Sequence, residues 1–234
     1  CGLLALDDPL VEGTIAKMES FQSEGGLTRF TGWQKDGLWT GVVLDNLGMV
    51  YLARGEADKF ARQLYAAVNH ASLFDNWPEE RDAKPGTTTV TGDRQHIWTS
   101  GAFVTALRAA LVCERDDALA IGMGMPREWL ASGQPIRVSG APTAFGVTSF
   151  ELRYDRESHA ITGSVSVPET CAASQLRVYL RLPDTLTPGA AELPGGLRIE
   201  QEQPIAAGTP PCPVLVVERP RGHVRLHIPI DERP

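Results

Sequence analysis

Apolar residues recur at helical spacing along the first half of the chain and fall into short β-rich runs along the second. Val43, Leu47 and Val50 repeat with Leu44 and Tyr51, Phe60, Leu64 and Val68 with Ala57 and Ala71, and Val104, Leu107 and Leu111 with Phe103. The pattern predicts four helices, over 9–22, 39–53, 56–71 and 94–113, with Pro9 in a first turn and Asp93 as an N-cap. Cys113 reads as a core residue at the end of the last helix, and the charges of Glu114 to Asp117 as the solvated turn that ends it. After Leu119 the runs Ile136–Val138, Val147–Tyr154, Ala160–Val167, Leu176–Leu182, Val214–Val217 and His223–Ile230 read as strands separated by Pro, Gly and Asp. The fold class expected is α+β with two domains: helical hairpins over 1–116, followed by an antiparallel β-sandwich over 117–234.

The connections say where chemistry could gather. Helices 2 and 3 are joined only by Arg54 and Gly55, whereas Ser23–Leu38 and Ser72–Asp93 are far longer than packed helices need. If successive helices run antiparallel, the short turn lies at one end and both long loops at the other. The two long loops then share a rim.

Trp33, Trp39, Trp77 and Trp98 fall on or near that rim, with Asp36, Glu79, Glu80 and His96. Indole planes beside carboxylates suit a carbohydrate, whose C–H faces stack on aromatic rings while its hydroxyls need polar partners. Such a site also suits glycoside cleavage, which needs one carboxyl group as acid and another as base or nucleophile. Neighbouring Glu79 and Glu80 point in different directions on any regular backbone, so at most one faces a sugar. The other would anchor the loop, for instance through Arg81 or Arg94. Each of these residues also has a plain reading: tryptophans near helix ends pack cores, adjacent glutamates form solvated turns, and His96 can be a structural hydrogen-bond donor.

Composition narrows the classes. With a net charge of −7, 42% hydrophobic and 22% charged residues, the chain reads as a soluble globular protein and not as a phosphate-neutralising nucleic-acid binder. No apolar run is long enough to span a membrane as a helix. Cys1, Cys113, Cys171 and Cys212 have no metal or redox spacing, and Cys171 and Cys212 could pair or remain free. His223 and His227 alternate on a strand, where four residues span about 13 Å, too far for one ion. Gly122-Met123-Gly124 lacks the rest of a dinucleotide loop. No metal and no cofactor are expected. The chain starts at Cys1 with no targeting segment, which reads as truncation of a longer chain ahead of lipidation. The compartment stays open, with secreted or periplasmic ahead of cytoplasmic.

Several segments carry a resemblance. Gly92-Asp93-Arg94-Gln95-His96-Ile97-Trp98-Thr99-Ser100, continuing to Arg108–Val112, resembles the last helical hairpin of six-hairpin (α/α)6-barrel glycoside hydrolases of the α-L-rhamnosidase-like superfamily. Arg54-Gly55-Glu56, Asn69-His70-Ala71-Ser72 and Trp77-Pro78-Glu79-Glu80 are similar to the same enzymes. Met125-Pro126-Arg127-Glu128-Trp129-Leu130 and Ala141-Pro142-Thr143-Ala144-Phe145-Gly146 resemble their junction into a C-terminal β-sandwich. The resemblance covers nearly the whole chain and implies the C-terminal portion of an inverting hydrolase. It places a glutamate general base at Glu80 or Glu79, with Glu80 preferred. It places His96, Trp98, Trp39 and Asp36 at the sugar subsite. Pro78 interrupts the direct Trp-Glu pattern of that family. The family's barrel has twelve helices and takes its general acid from an earlier hairpin, so the expected partners are a carbohydrate substrate and the remainder of the barrel, N-terminal to Cys1. The competing readings are a noncatalytic carbohydrate-binding or scaffold module and a plain structural domain.

Overall fold

The computed structural model describes residues 4–34, 37–82, 89–189, 193 and 197–233. Cys1 and Asp36 lie outside them. The protein is α+β, and its chain divides into two compact units: residues 1–108 with 204–209, and residues 109–203 with 210–234.

In the first unit, α1 (Pro9–Glu19) opens with Asp8 as N-cap, its carboxylate accepting the Leu10 N–H at 2.8 Å, and with Pro9 in the first turn. The second predicted helix is a composite of α2 (Thr40–Val42), a π-helical turn (Val43–Gly48) and α3 (Met49–Ala53). A turn through Arg54 and Gly55 leads into α4 (Ala57–Asn69). Buried Glu56 stands before α4 and is held by Arg54 Nε at 2.9 Å and Lys59 Nζ at 2.8 Å. Arg54 also donates to the Leu6 carbonyl, and its own carbonyl accepts the Ile205 N–H, which ties residues 204–209 to this unit. The core draws on Leu44, Leu47, Tyr51, Leu52, Phe60 and Leu64, as the helical periodicity requires, and a neighbouring cluster joins Leu27, Leu38, Val43 and Ala66.

The next helix in the chain, α5 (Ile97–Leu111), starts later and ends earlier than expected. Asp93 does not cap it. Its carboxylate accepts the Gln95 N–H at 3.0 Å in a tight turn, and the helical ladder begins with the Ser100 N–H on the His96 carbonyl. At the other end Val112–Arg115 forms β4, which pairs antiparallel with β5 (Ala118–Ile121), so Cys113 is a strand residue and the charged run is a hairpin tip. Asp116 takes a positive φ of 54° there, a conformation that Asp tolerates in tight hairpin turns.

The second unit has two five-stranded sheets. One runs β11 (Arg198–Glu202), β12 (Cys212–Glu218), β9 (Gln175–Tyr179), β5, β4, with only the β5–β9 pair parallel among its described pairings. The other runs β10 (Leu186–Pro188), β13 (His223–Glu232), β8 (Ala160–Ser166), β7 (Gly146–Asp155), β6 (Ile136–Thr143), with antiparallel pairings. Alternate residues of β7, Phe150, Leu152 and Tyr154, meet Ile161, Leu226 and Ile228 of their own sheet and Leu119, Leu176 and Leu215 of the other in one core. The short helix α6 (Arg127–Ala131) adds Leu130. Cys171 is buried in this core, and Cys171 and Cys212 are free thiols. His223 and His227 lie on exposed, alternate positions of β13.

Candidate functional site

The two long connections of the first unit meet through their backbones. β1 (Gly37–Leu38) pairs antiparallel with β2 (Glu80–Asp82), and β2 with β3 (Val90–Thr91), so residues of the first loop form a small sheet with both limbs of the second. The Glu79 N–H donates to the Asp93 carbonyl at 2.7 Å, and the His96 N–H to the Trp77 carbonyl at 2.8 Å, which fastens this sheet to the start of α5.

Glu79 and Glu80 face different neighbours. A Glu79 carboxylate oxygen accepts the Asp93 N–H at 3.1 Å. Glu80 is wholly buried, and its Oε1 accepts the Gln34 N–H at 2.6 Å. A Cβ on Gly32 or Gly37 would overlap the Glu80 carboxylate, so a larger residue at either position would push this group from its place. Glu80 Oε2 is buried with no hydrogen-bond partner among the described residues. A buried carboxylate oxygen left unpaired is costly, and such atoms concentrate where structure serves function.

Three indoles stand together on this framework. The Trp33 and Trp39 rings meet edge to face with centroids 5.2 Å apart, and Trp39 and Trp98 at 5.8 Å with an interplanar angle of 85°. His96 continues the row against Trp98 at 5.8 Å. Trp33 is 68% exposed and Trp98 41%. The Trp39 N–H of the backbone donates to Thr31 Oγ1 at 2.8 Å, and His96 Nδ1 lies 3.0 Å from Thr99 Oγ1. Trp98 Nε1 donates to Asp45 Oδ2 at 2.8 Å, and Asp45 belongs to the π-helical turn. A π turn inserts one residue into the helical repeat and recurs at functional sites.

Trp77 does not join the row. It is buried, its face lies on Phe103 with centroids 4.8 Å apart, and its Nε1 donates to the Ala67 carbonyl at 2.7 Å. Asp36, placed beside Trp33 and Trp39 by the sequence reading, lies outside the described residues. Asp45, Thr31 and Gln34 were not singled out from the sequence. Asp45 sits within a helical stretch and carries no signal of its own, whereas Gln34 stands next to Trp33 in the first long loop.

Among the described residues no three His, Cys, Asp or Glu side chains are grouped so as to hold a metal ion, and no helix is long and apolar enough to cross a membrane. The sequence matches no protein-family model and no curated protein.

Proposed function

We propose that this chain is the C-terminal portion of an inverting glycoside hydrolase, with the indole row as its sugar platform. The observation that carries the reading is the row itself: Trp33, Trp39 and Trp98 at right angles, two of them open to solvent, on the same loops as the strand that begins at Glu80. Perpendicular indoles offer C–H stacking faces in more than one direction, which suits adjacent sugar rings better than a flat aromatic ligand. Glu80 is the proposed general base, because Oε2 is the oxygen without a partner and a base needs a lone pair to receive the proton of the attacking water. Gln34 positions that carboxylate through Oε1. Glu79 is the loop anchor.

Two features support the finer architecture that this reading requires. The two five-stranded sheets share one core, as in a β-sandwich. Ile97 is 84% and Val104 65% exposed on one side of α5, with Leu10 exposed on α1, as expected of helices that pack against further hairpins of a barrel. A second reading, a noncatalytic carbohydrate-binding module, is favoured by the burial of Glu80, which would then serve only to hold residues 31–38.

The test has two parts. Calorimetry of this chain against a panel of oligosaccharides is expected to detect binding that Trp33→Ala and Trp98→Ala remove; absence of binding to the whole panel would rule out both carbohydrate readings. In the enzyme with its barrel complete, Glu80→Gln is expected to lower kcat by at least about 10³-fold while substrate binding survives, with Glu79→Gln staying within about tenfold. The reverse order transfers the base role to Glu79. Binding with no hydrolysis by the unsubstituted enzyme leaves the binding-module reading.

A further inference from the structure

In the second unit, the paired strands β13 and β8 carry an open groove of about 490 Å³. His223, Arg225 and His227 of β13, Thr162 and Ser164 of β8, and Leu197 just before β11 line it. The strand register accounts for this set. Side chains alternate along a strand, so His223, Arg225 and His227 share the exposed side of β13 while Leu226 and Ile228 enter the core. Arg225 stands opposite Ser164 and His227 opposite Thr162, and directly opposed residues share a face, so each basic side chain has a hydroxyl beside it.

These groups are open to solvent and uncommitted. Arg225 and His227 are exposed, and Thr162 and Ser164 are half-buried. None of the four side chains has a hydrogen-bond or ion-pair partner among the described residues. The other arginines of this sheet face are paired: Arg137 meets Glu151 at 2.6 Å, and Arg153 meets Asp155 at 3.6 Å. Glu151 lies on the same register line as Arg225, one strand beyond Ser164, and Arg137 already holds it. At the far end His223 is engaged, with Nδ1 3.0 Å from Ser166 Oγ, and Glu169 stands beside Gly222. The uncommitted centre is therefore Arg225 with His227 and their two hydroxyl neighbours.

Charge and shape select the molecule. Among the described residues the lining holds no carboxylate and no Phe, Tyr or Trp ring. A guanidinium fork pairs with a planar or tetrahedral oxyanion through two N–H groups, and an imidazole N–H adds a third donor. A single arginine matches one oxyanion group at a time and not a polyphosphate. A bare inorganic ion leaves most of the groove empty and gives Ser164 and Thr162 nothing to bond. A nucleobase finds no ring to stack on. A saccharide ring that bears an acid group supplies the oxyanion and adjacent hydroxyls in one rigid unit.

We propose that this groove binds an acidic saccharide, with its carboxylate or sulfate on Arg225 and His227 and its hydroxyls on Ser164 and Thr162. The site lies within the second unit and does not rest on the hydrolase reading.

The test is an amide titration of the ¹⁵N-labelled chain with digalacturonate and with galactose 6-sulfate. Neutral galactobiose, inorganic sulfate and a hexaglutamate peptide serve as counter-probes. At least one acidic saccharide is expected to shift the amides of Gly163, Arg225 and Leu226 with a dissociation constant of about 1 mM, and galactobiose to bind at least about tenfold more weakly. Which of the two binds tells carboxylate from sulfate. Arg225→Gln is expected to weaken binding at least about tenfold with Tm unchanged, because the side chain is exposed and unpaired. Arg225→Lys, which keeps the charge and loses the fork, should weaken it less, and Ser164→Ala by about threefold. The proposal is overturned if neither acidic saccharide shifts these amides, or if Arg225→Gln binds as well as the unsubstituted chain. It is equally overturned if galactobiose, inorganic sulfate or the peptide binds as tightly as the acidic saccharides. Shifts confined to the indole N–H signals of Trp33 and Trp98 would overturn it while supporting the sugar platform.

Discussion

The two units treat buried polar groups differently. In the second, Glu202 on β11 collects Arg115 from β4 at 2.6 Å, Tyr179 from β9 at 2.8 Å and Arg177 from β9 at 2.9 Å, so one carboxylate closes a network across the sheet. In the first, Ser23 Oγ, Gln34 Nε2, Trp39 Nε1, Gln63 Oε1 and Glu80 Oε2 are buried without hydrogen-bond partners, against Thr148 Oγ1 in the second, among the described residues. Apolar groups show the same contrast. The second unit buries alternate residues of its central strands in one core and exposes Val147, whereas the first leaves Leu10, Trp33, Ile97 and Val104 on its surface. Buried polar atoms without partners thus gather in the first unit, while the second closes most of its polar groups into networks of its own.

This contrast can be broken by mutation. Leu215→Ala, in the middle of β12, is expected to destabilise the second unit by about 2–5 kcal/mol, read as a lowered denaturation midpoint, because the cavity left in a two-sheet core cannot collapse. A loss below about 1 kcal/mol would mean that this core is loosely packed and the contrast overdrawn. Glu202→Gln is expected to cost about 1–3 kcal/mol at neutral pH, since it leaves Arg115 and Arg177 facing an uncharged group. Burial raises the pKa of Glu202, but the bonds from Tyr179, Arg115 and Arg177 outweigh it and hold the carboxyl below its ordinary 4.5. The sign follows. This stabilisation is present above the ordinary carboxylate range and is lost as pH falls through the lowered folded-state pKa. Thermal midpoints of wild type and Glu202→Gln should therefore converge on acidification below about pH 4.5. Val104→Ser is expected to change stability by no more than about 0.5 kcal/mol, as an exposed substitution does. A loss above about 1 kcal/mol would show that Val104 is covered in this chain in solution.

Much of the architecture was legible in the sequence because periodicity reports burial directly. The helices around Phe60 and Leu44 and the strands around Phe150 and Ile228 fall where the apolar spacing put them. The end of α5 was not legible, because Leu111 passes into Val112 with no breaker between helix and strand. The four residues of β5, Ala118–Ile121, are all buried and so show no alternation to read. The sheet β1–β2–β3 rests on strands of two or three residues whose pairing is long-range, and nothing local announces it. At the site, loop length placed Trp33, Trp39 and Trp98 together. It could not tell that Trp77, one loop away, turns inward onto Phe103, because proximity to a helix end fixes position and not direction. Asp45 was hidden for a related reason: its partner Trp98 is 53 positions along the chain.

The π-helical turn at Val43–Gly48 sets a constraint on how this protein can change. A π turn holds one residue more than the α repeat needs, so loss of a single residue there would let the stretch close into ordinary α-helix with its two flanks still facing as before. Tyr51 and Leu52 would keep their place in the core, whereas the side chains within the turn would shift and Asp45 would leave Trp98. The length of the chain at this point is therefore tied to the Asp45–Trp98 contact and not to the packing of the helix.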